Sequence, residues 1–454
     1  MPKEIIYNAH ILTMDAQMNS YPQGSVLIEN GKIKQISAEK ISLDKSSSDK
    51  SISKVHIPEV HSSEEIVYTD AMGKILMPGF INTHCHIPMT ILKGFADDLP
   101  LQKWLMEYVF PAEAKYITAE NVQIASRLGI LEMIKSGTTC FNDMYFFEDV
   151  IGEEAKRAGI RAVLGEAIID FPTPSFKTVD EGIAISMNLH EKWGGDSIIH
   201  TAFAPHSVYT CSAETLKRTR ACADKYGSLV HIHLSETKKE VEDCMAQHGV
   251  SPVNYLRELG VLDSKTLAAH CVWLSDNDVH SMNETQTSIC HCPKSNLKLA
   301  SGIARTYDYA KAGVNVSIAT DGSASNNKLD MVEELRIASL LAKGTSMNPE
   351  AMNARNTLRS ATVNGALAIG LDKVVGSIEI GKDADLILID ADNSSMVPVY
   401  DEYSAIVYAM NSSDITSSMV HGDWIMKDRK VLHIDEADTF DRIKYIADKI
   451  KNNL

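Results

Sequence analysis

Hydrophobic and polar residues follow one rhythm in the middle of the chain and another at its two ends. From about residue 75, short apolar runs typical of buried strands alternate with stretches of helical periodicity such as 119–135, 180–193, 213–225 and 330–342. Strands that alternate with helices pair in parallel, so the pattern predicts a closed (β/α)₈ TIM-like barrel. The eight predicted strands span residues 75–83, 138–144, 161–169, 198–205, 229–235, 266–270, 287–292 and 314–320.

The two chain ends share a strand-rich pattern that the middle lacks. Residues 4–35 read as a meander with a tight-turn signal at Asn30-Gly31, and GKDADLILID near the other end carries a similar hairpin pattern. We therefore predict a small β-sandwich domain built from residues 1–74 and 377–454, around a barrel at 75–376. Two further segments are predicted, a solvated loop over 38–65 and a closing amphipathic helix over 437–453.

An open doubly wound sheet is the weaker alternative, because no GxGxxG fingerprint opens any strand–helix unit. The formal net charge of −16 argues against a nucleic acid or an anionic membrane as the main partner. Eight cysteines without a CxxC pair indicate reduced thiols. We see no signal peptide, and no apolar run approaches the roughly 20 residues of a spanning helix. These features predict a cytoplasmic protein.

The chemistry concentrates where predicted strands end. In a parallel barrel, active-site residues lie at the carboxyl ends of the strands. In PGFINTHCH, two histidines spaced i, i+2 on an extended chain point the same way, which is typical of metal ligands. The polar residues at the strand ends are His84, His86, His206, His231, His233, Glu236, His270 and Asp321. Their joint occurrence on one rim indicates a catalytic centre.

Three neutral imidazoles and one carboxylate suit Zn²⁺ or Fe²⁺ with an open position for water. A binuclear site would need a bridging anion, commonly a modified lysine on strand 4, and residues 198–209 contain no lysine. We therefore expect one divalent metal. The spacing leaves open which of His231 and His233 is a ligand, and whether His291 is functional or structural.

The motifs PGFINTHCH, HLSET, AAHC and ATDG together resemble those of the amidohydrolase superfamily. The longer stretches MTILKGFADDLPLQKWLMEYVFPAEAKYI, HCPKSNLKLASGIA and TDGSASNN resemble the 5-methylthioadenosine/S-adenosylhomocysteine deaminases within it. The likeness covers nearly the whole chain. It implies metal-dependent hydrolysis of an adenine nucleoside to the inosine analogue and ammonia, and an association of subunits as dimers or tetramers.

The resemblance also assigns roles to residues. It implies His84, His86, His233 and Asp321 as metal ligands, with His233 chosen because the family pattern is His-x-x-Glu. Glu236 matches the residue that protonates the purine ring, and His270 the one that orients or deprotonates the water. Asp321 is a plausible proton shuttle. For substrate binding the resemblance implies His206, Glu113 as the carboxylate that holds the ribose hydroxyls, and Trp104 as an apolar wall near the 5′ substituent.

One departure from the family concerns the 5′ end of the substrate. Some members bind the amino-acid tail of S-adenosylhomocysteine with arginines after strand 3. Here Glu166 stands about where an arginine is expected, and residues 162–217 contain none. We therefore expect smaller 5′ substituents, such as methylthio, hydroxyl or hydrogen. Two alternatives remain, a hydrolase of guanine, a triazine or another cyclic amidine, and a barrel without chemistry that serves as a scaffold.

Overall fold

The computed structural model describes residues 3–38, 66–100 and 103–452. The predicted loop at 38–65 therefore lies outside the described residues from position 39 onward. In chain order the first five strands are β1 (Lys3–Leu12), β2 (Ser20–Glu29), β3 (Lys32–Ser37), β4 (Ile66–Asp70) and β5 (Ile75–Pro78). Eight more follow as β6 (Phe80–Cys85), β7 (Thr138–Tyr145), β8 (Arg161–Ile168), β9 (Ile199–Pro205), β10 (Leu229–Leu234), β11 (Thr266–His270), β12 (Ser288–His291) and β13 (Val316–Ile318). The last four are β14 (Leu386–Ile389), β15 (Ile415–Val420), β16 (Asp423–Lys427) and β17 (Lys430–Val431).

The predicted (β/α)₈ barrel is confirmed. Strands β6 to β13 form one sheet in chain order, and every pairing within it is parallel. Polar groups of the first and last strands close the ring, because Asn82 exchanges two hydrogen bonds with Thr320 and the Asp321 N–H donates to the His84 carbonyl. This closure places the ends of β6 and β13 side by side.

Helices surround the barrel, and their apolar faces pack on its strands. The main ones are Ala119–Lys135, Glu148–Ala158, Val179–Trp193, Ala213–Tyr226, Lys238–His248, Pro252–Glu258, Asp276–Glu284, Pro293–Lys298, Thr306–Lys311, Met331–Ser346, Ala354–Ser360, Val363–Ala368 and Glu436–Lys451. The last is the predicted closing helix. Within the described residues, none of the helices has the length and apolar character needed to cross a bilayer.

The two termini build a separate sheet, as predicted. It has nine strands in the order β17-β16-β15-β14-β5-β1-β2-β3, with β4 paired to β1. Side chains from both ends of the chain share one apolar core: Ile6, Ile11, Val26, Ile28, Ile33, Leu76, Ile378, Leu386, Leu388 and Met419. The division into residues 1–74, 75–376 and 377–454 stays a prediction.

The predicted single strand over 75–83 is wrong, because the structure has two strands there. Ile75–Pro78 pairs with β1 and β14 in the terminal sheet, and Phe80–Cys85 opens the barrel. The break falls at Gly79, where a Cβ atom would lie 2.1 Å from the Thr139 hydroxyl oxygen. The chain therefore passes from one sheet to the other through a position that only glycine can occupy.

A buried charge cluster joins the barrel to the terminal sheet. Arg161, at the start of β8, is fully buried and donates to Asp383 at 2.8 Å and to both carboxylate oxygens of Asp385 at 2.8 and 3.0 Å. Lys32 and His421 also contact Asp383. Burial acts to raise the pKa of Asp383, but His421, Lys32 and the charge of Arg161 hold it well below its usual range.

We predict that Arg161→Met lowers the free energy of unfolding by about 3–5 kcal/mol, because it leaves buried carboxylates without their partner. Urea denaturation followed by tryptophan fluorescence measures this. The lowered pKa means that the contribution of Asp383 is present above about pH 4 and is lost as the pH falls further.

The control is Arg218→Met, which removes an exposed ion pair with Asp180. Exposed pairs contribute at most about 1 kcal/mol, so this variant should unfold close to the wild type. Equal losses in the two variants would contradict the role of the buried cluster.

Candidate active site

The strand ends bring the sequence-predicted polar residues together on one rim of the barrel. His84 lies in β6 and His86 just after it, His233 lies in β10, and His270 ends β11. Asp321 follows β13 by three residues. His86 keeps a partly exposed edge toward the barrel mouth, and the other four are at most 5% exposed. The metal-ligand candidates therefore share one buried volume.

The backbone at this rim takes left-handed conformations that non-glycine residues rarely adopt. Ser235 has φ +51°, His270 +70°, Cys271 +50° and Asp321 +62°. Such positions cost free energy and cluster at functional sites. Here they turn the chain sharply as each strand ends, so that Glu236, His270 and Asp321 face the barrel axis.

Three nitrogen atoms and a carboxylate oxygen converge on one point. His86 Nε2 lies 3.2 Å from Asp321 Oδ1 and 3.3 Å from His233 Nε2, and His84 Nε2 lies 3.4 Å from the same Asp321 oxygen. Among the described residues, the Nε2 atom of His84 is buried without a hydrogen-bond partner. An unpartnered buried nitrogen beside a carboxylate and further imidazoles is what a divalent cation binds.

Hydrogen bonds behind the imidazoles fix which nitrogen faces the centre. His86 Nδ1 donates to the Met144 carbonyl at 2.5 Å, and His233 Nδ1 donates to the His206 carbonyl at 2.8 Å. A ring that donates through Nδ1 presents the Nε2 lone pair. The backbone of the neighbouring strands therefore directs the Nε2 atoms of His86 and His233 toward the centre. Burial acts to lower the pKa of His86, but its contact with Asp321 raises it to about 9, so a cation bound there would displace a proton.

The protonation states suit a metal centre. Burial lowers the pKa of His84 to about 4 and holds that of His233 well below its usual range, so both rings are neutral. Burial acts to raise the pKa of Asp321, but contacts with His84 and His86 hold it far below its usual value. The residues present therefore fit one divalent cation.

The structure separates the two histidines of β10. His231 Nε2 lies 2.9 Å from His84 Nδ1, and its Nδ1 lies 3.0 Å from the side-chain nitrogen of Asn142. Both ring nitrogens of His231 are thus engaged below the cluster, inside the barrel. Its neighbour His233 faces the cluster, and the choice of His233 as the ligand stays a prediction.

His270 and Glu236 lie side by side at the centre. His270 Nδ1 donates to Asn296 Oδ1 at 2.9 Å, and its Nε2 lies 3.8 Å from Glu236 Oε2. Burial raises the pKa of the Glu236 carboxyl, and the charge of Asp321 acts in the same direction. Glu240 accepts from the Ser235 and Glu236 backbone N–H groups at 2.7 and 2.8 Å, which fixes the turn that carries Glu236.

Asp321 is held on both carboxylate oxygens. Its Oδ2 accepts from the hydroxyls of Ser295 at 2.5 Å and Ser325 at 2.8 Å, and its Oδ1 accepts from the Gly322 N–H at 2.7 Å. Ser295 and Asn296 are neighbours on helix Pro293–Lys298. One short helix therefore orients both Asp321 and His270.

A cleft above this cluster contains the remaining sequence-predicted residues. Glu113, Trp104 and His206 line it together with Glu236, His270 and Asp321. Burial lowers the pKa of the His206 ring to about 3, so it is neutral. The other side chains lining the cleft are His86, Met89, Leu105, Phe110, Met144, Tyr145, Phe146, Ala167, Ile169, Tyr209, His233, Leu299 and Ser325. The individual roles predicted for all these residues stay predictions.

The sequence interpretation missed several residues. Ser295 and Asn296 lie a few residues after β12, and Tyr145 is the last residue of β7, so the strand-end rule would have found all three, whereas Glu240 gave no such signal. Glu166 does not reach the cleft, because it is fully buried behind the rim and accepts from Ser175 and from the Phe147 and Glu148 N–H groups. Among the described residues that line the cleft, none is a lysine or arginine.

Comparison with known proteins agrees with this geometry. The amidohydrolase family profile matches residues 75–425. The chain is 41% identical to a 5-methylthioadenosine/S-adenosylhomocysteine deaminase of Thermodesulfovibrio yellowstonii over the full length of both chains. It is 40% identical to a 5′-deoxyadenosine deaminase of Methanobrevibacter smithii over 94% of each. An adenosine deaminase from Xanthomonas campestris, solved with bound zinc, superposes with a TM-score of 0.92 at 35% identity, covering 99% of both chains.

We predict that His84→Ala loses its divalent metal when dialysed against a chelator that leaves the wild type loaded, because the variant lacks a converging donor. Metal content by plasma mass spectrometry is the measurement. His291→Ala is the control, since His291 is an equally buried strand-end histidine outside the converging set. Full metal content in His84→Ala would refute the site.

Proposed function

The chain belongs to the amidohydrolase family, and we propose that it hydrolyses the 6-amino group of an adenine nucleoside, giving the inosine analogue and ammonia. The observation that carries this proposal is the content of the cleft, where Glu236 lies beside the metal-ligand cluster and Glu113 lines the same cavity. Glu236 would act as an acid toward a purine ring, and Glu113 would bind the hydroxyls of the ribose joined to it. Relatives named as deaminases of 5′-substituted adenosines support it over the full chain.

The proposed cofactor is one divalent metal held by His84, His86, His233 and Asp321. Zn²⁺ is our first choice, because imidazole nitrogen and carboxylate oxygen are its usual donors, and Fe²⁺ is the alternative. Zinc is also the metal in the related adenosine deaminase from X. campestris. A cation held there supplies an activated water for hydrolysis near neutral pH.

Glu236 is proposed as the general acid. Burial raises the pKa of this carboxyl, although the His270 charge acts to lower it, and the raised pKa favours the protonated form that a general acid needs. This proton passes to ring nitrogen N1 as the water oxygen bonds to C6, so that negative charge does not accumulate on the purine. The C6–N bond then breaks, and the products are the 6-oxo purine nucleoside and one molecule of ammonia.

His270 and Asp321 are proposed to move the remaining protons. Asn296 accepts from His270 Nδ1 and so directs Nε2 toward the reacting water. Asp321, ionised and held by two serine hydroxyls, would accept a proton from the oxygen that bonds to C6 and pass it to the departing amine. Both side chains are fixed from the same helix, which limits the reorganisation needed during reaction.

The nature of the cleft wall sets our proposal for the 5′ substituent. Phe110, Phe146, Ala167, Ile169 and Leu299 give it an apolar surface. An amino-acid tail placed against this surface would lose hydration without gaining a charged partner. Methylthio, hydrogen and hydroxyl groups carry no such cost, so they are the proposed substituents.

Two predictions about the assembled protein stand beside the reaction. We propose a homo-oligomer, a dimer or tetramer, on the resemblance to the deaminase family alone. We also propose that the barrel and the terminal sheet divide near residues 75 and 376.

The first test is ammonia release from 5′-methylthioadenosine, 5′-deoxyadenosine, adenosine, S-adenosylhomocysteine and guanine with the zinc-loaded protein. We expect the first three to give the highest kcat/KM, and S-adenosylhomocysteine a value at least about ten-fold lower, the effect of one unpaired buried charge. Highest activity on S-adenosylhomocysteine would overturn the proposal for the 5′ end. Activity on guanine alone would overturn the substrate class.

The second test concerns the general acid. Glu236→Gln should keep its metal but lower kcat by roughly 10²- to 10⁴-fold, because the amide cannot donate the proton to N1 at low cost. Glu242→Gln, on an exposed face of helix Lys238–His248, is the control and should retain wild-type kcat. A near-normal kcat in Glu236→Gln would remove the acid role.

A further inference from the structure

Glu113 differs from the metal-ligand candidates in how the fold supports it. They lie on or just after barrel strands, whereas Glu113 lies on helix Phe110–Tyr116, within the connection between β6 and β7. That helix continues from a π-helical turn, Trp104–Val109. Sites on connecting segments are held less precisely than sites on strands. The position of Glu113 over the metal centre therefore depends on a contact with the barrel.

The structure provides one such contact to the carboxylate. The Tyr145 hydroxyl donates to Glu113 Oε1 at 2.5 Å, and within the described part of the chain it is the only hydrogen-bond donor to that side chain. Glu113 is 4% exposed and Tyr145 3% exposed. Burial raises the pKa of the Glu113 carboxyl to about 7, while the hydrogen bond from Tyr145 acts to lower it and so favours the carboxylate. A buried hydrogen bond to an ionised carboxylate is among the stronger polar interactions of a protein.

Tyr145 is itself rigidly placed. It is the last residue of β7, and its backbone N–H donates to Glu148 Oε1 at 2.7 Å. Its ring packs between those of His86 and Phe146, with centroids 6.1 and 5.1 Å away. Burial and the nearby Glu113 charge raise the pKa of the Tyr145 hydroxyl well above its usual value, so it remains a donor.

We propose that Tyr145 is a positioning residue that orients the Glu113 carboxylate for the ribose hydroxyls of the substrate. A carboxylate has about four acceptor sites on two oxygens, and the Tyr145 hydroxyl occupies one of them on Oε1. The Oε2 atom stays available to the 2′ and 3′ hydroxyls. The proposal rests on the proposed function, since it assumes a ribose in the cleft.

The proposal gives Tyr145 a part in substrate selection. An oriented carboxylate binds a vicinal diol, and it is left unpaired when a substrate without the diol fills the same space. Tyr145 thereby connects Glu113, on the connecting segment, to β7. That strand lies beside β6, the strand of the metal-ligand candidates His84 and His86. Removing only its hydroxyl should weaken binding of the diol and leave the purine chemistry in place.

The test compares adenosine with 2′,3′-dideoxyadenosine, which differ only in the two ribose hydroxyls. In zinc-loaded Tyr145→Phe we expect kcat/KM for adenosine to fall roughly ten- to hundred-fold, mainly through KM, as for loss of a hydrogen bond to a charged group. For the dideoxy analogue the change should stay within about two-fold. The double variant with Glu113→Gln should lose no more on adenosine than Glu113→Gln alone.

Tyr403→Phe is the matched control, because Tyr403 is equally buried and its hydroxyl has no hydrogen-bond partner among the described residues. It should match the wild type on both substrates. Equal losses on adenosine and the dideoxy analogue in Tyr145→Phe, or no loss on either, would overturn the positioning role.

Failure of the proposed function has a different signature, namely no ammonia from any adenine nucleoside in the wild type. Equilibrium titration of the zinc-loaded wild type and Tyr145→Phe with both nucleosides then decides the inference without turnover. The inference is supported if the wild type binds adenosine more tightly than the dideoxy analogue and Tyr145→Phe does not. Identical affinities of the two proteins for each nucleoside would refute it.

Discussion

The architecture of the site depends on one electrostatic constraint. His84 Nε2 and His86 Nε2 lie 3.4 and 3.2 Å from the same Asp321 oxygen, and His86 Nε2 lies 3.3 Å from His233 Nε2, in a buried volume. Polar groups this close and this buried must share protons or a cation, because leaving them unpaired costs free energy. The arrangement is fixed because the four residues lie on or just after three hydrogen-bonded strands, β6, β10 and β13, so relaxation of one would disturb the sheet that carries it.

Buried acids behind the rim hold the backbone that carries the site residues. Glu148 accepts from the Tyr145 N–H, Glu166 from the N–H groups of Phe147 and Glu148, and Glu240 from those of Ser235 and Glu236. Burial raises the pKa of Glu166 and of Glu240 to about 7. These carboxyls bind backbone that leaves the strands in strained conformations, and they take the place of the sheet partners that the backbone has lost.

The sequence pattern indicated more of the candidate metal ligands than of the substrate-contacting residues, and the reason is geometric. A strand end can be recognised in the sequence as an apolar run followed by a polar residue. Because a closed parallel barrel brings all such ends to one rim, His84, His233 and Asp321 could be predicted together. Glu113 and Trp104 follow no strand, so only the resemblance indicated them. The sequence showed only that Glu166 stands where an arginine is expected, and the structure adds that its side chain turns behind the rim to accept N–H groups. The strand break at Gly79 depends on Thr139, which is distant in sequence.

These differences imply that chemistry and selectivity reside in separate parts of the fold. The reacting centre is built on strand ends and on helix Pro293–Lys298, which orients Asp321 and His270. Glu113 and Trp104, which we propose contact the sugar and its 5′ substituent, lie on the connection between β6 and β7. Lys298 joins this connection to the loop after β13, because it bonds to Asp97, Asn327 and the Ala324 carbonyl. Since the connection lies outside the barrel strands, its sequence can change with less effect on the strand ends than a substitution in the strands themselves. Substrate preference can therefore diverge among relatives that keep one reaction.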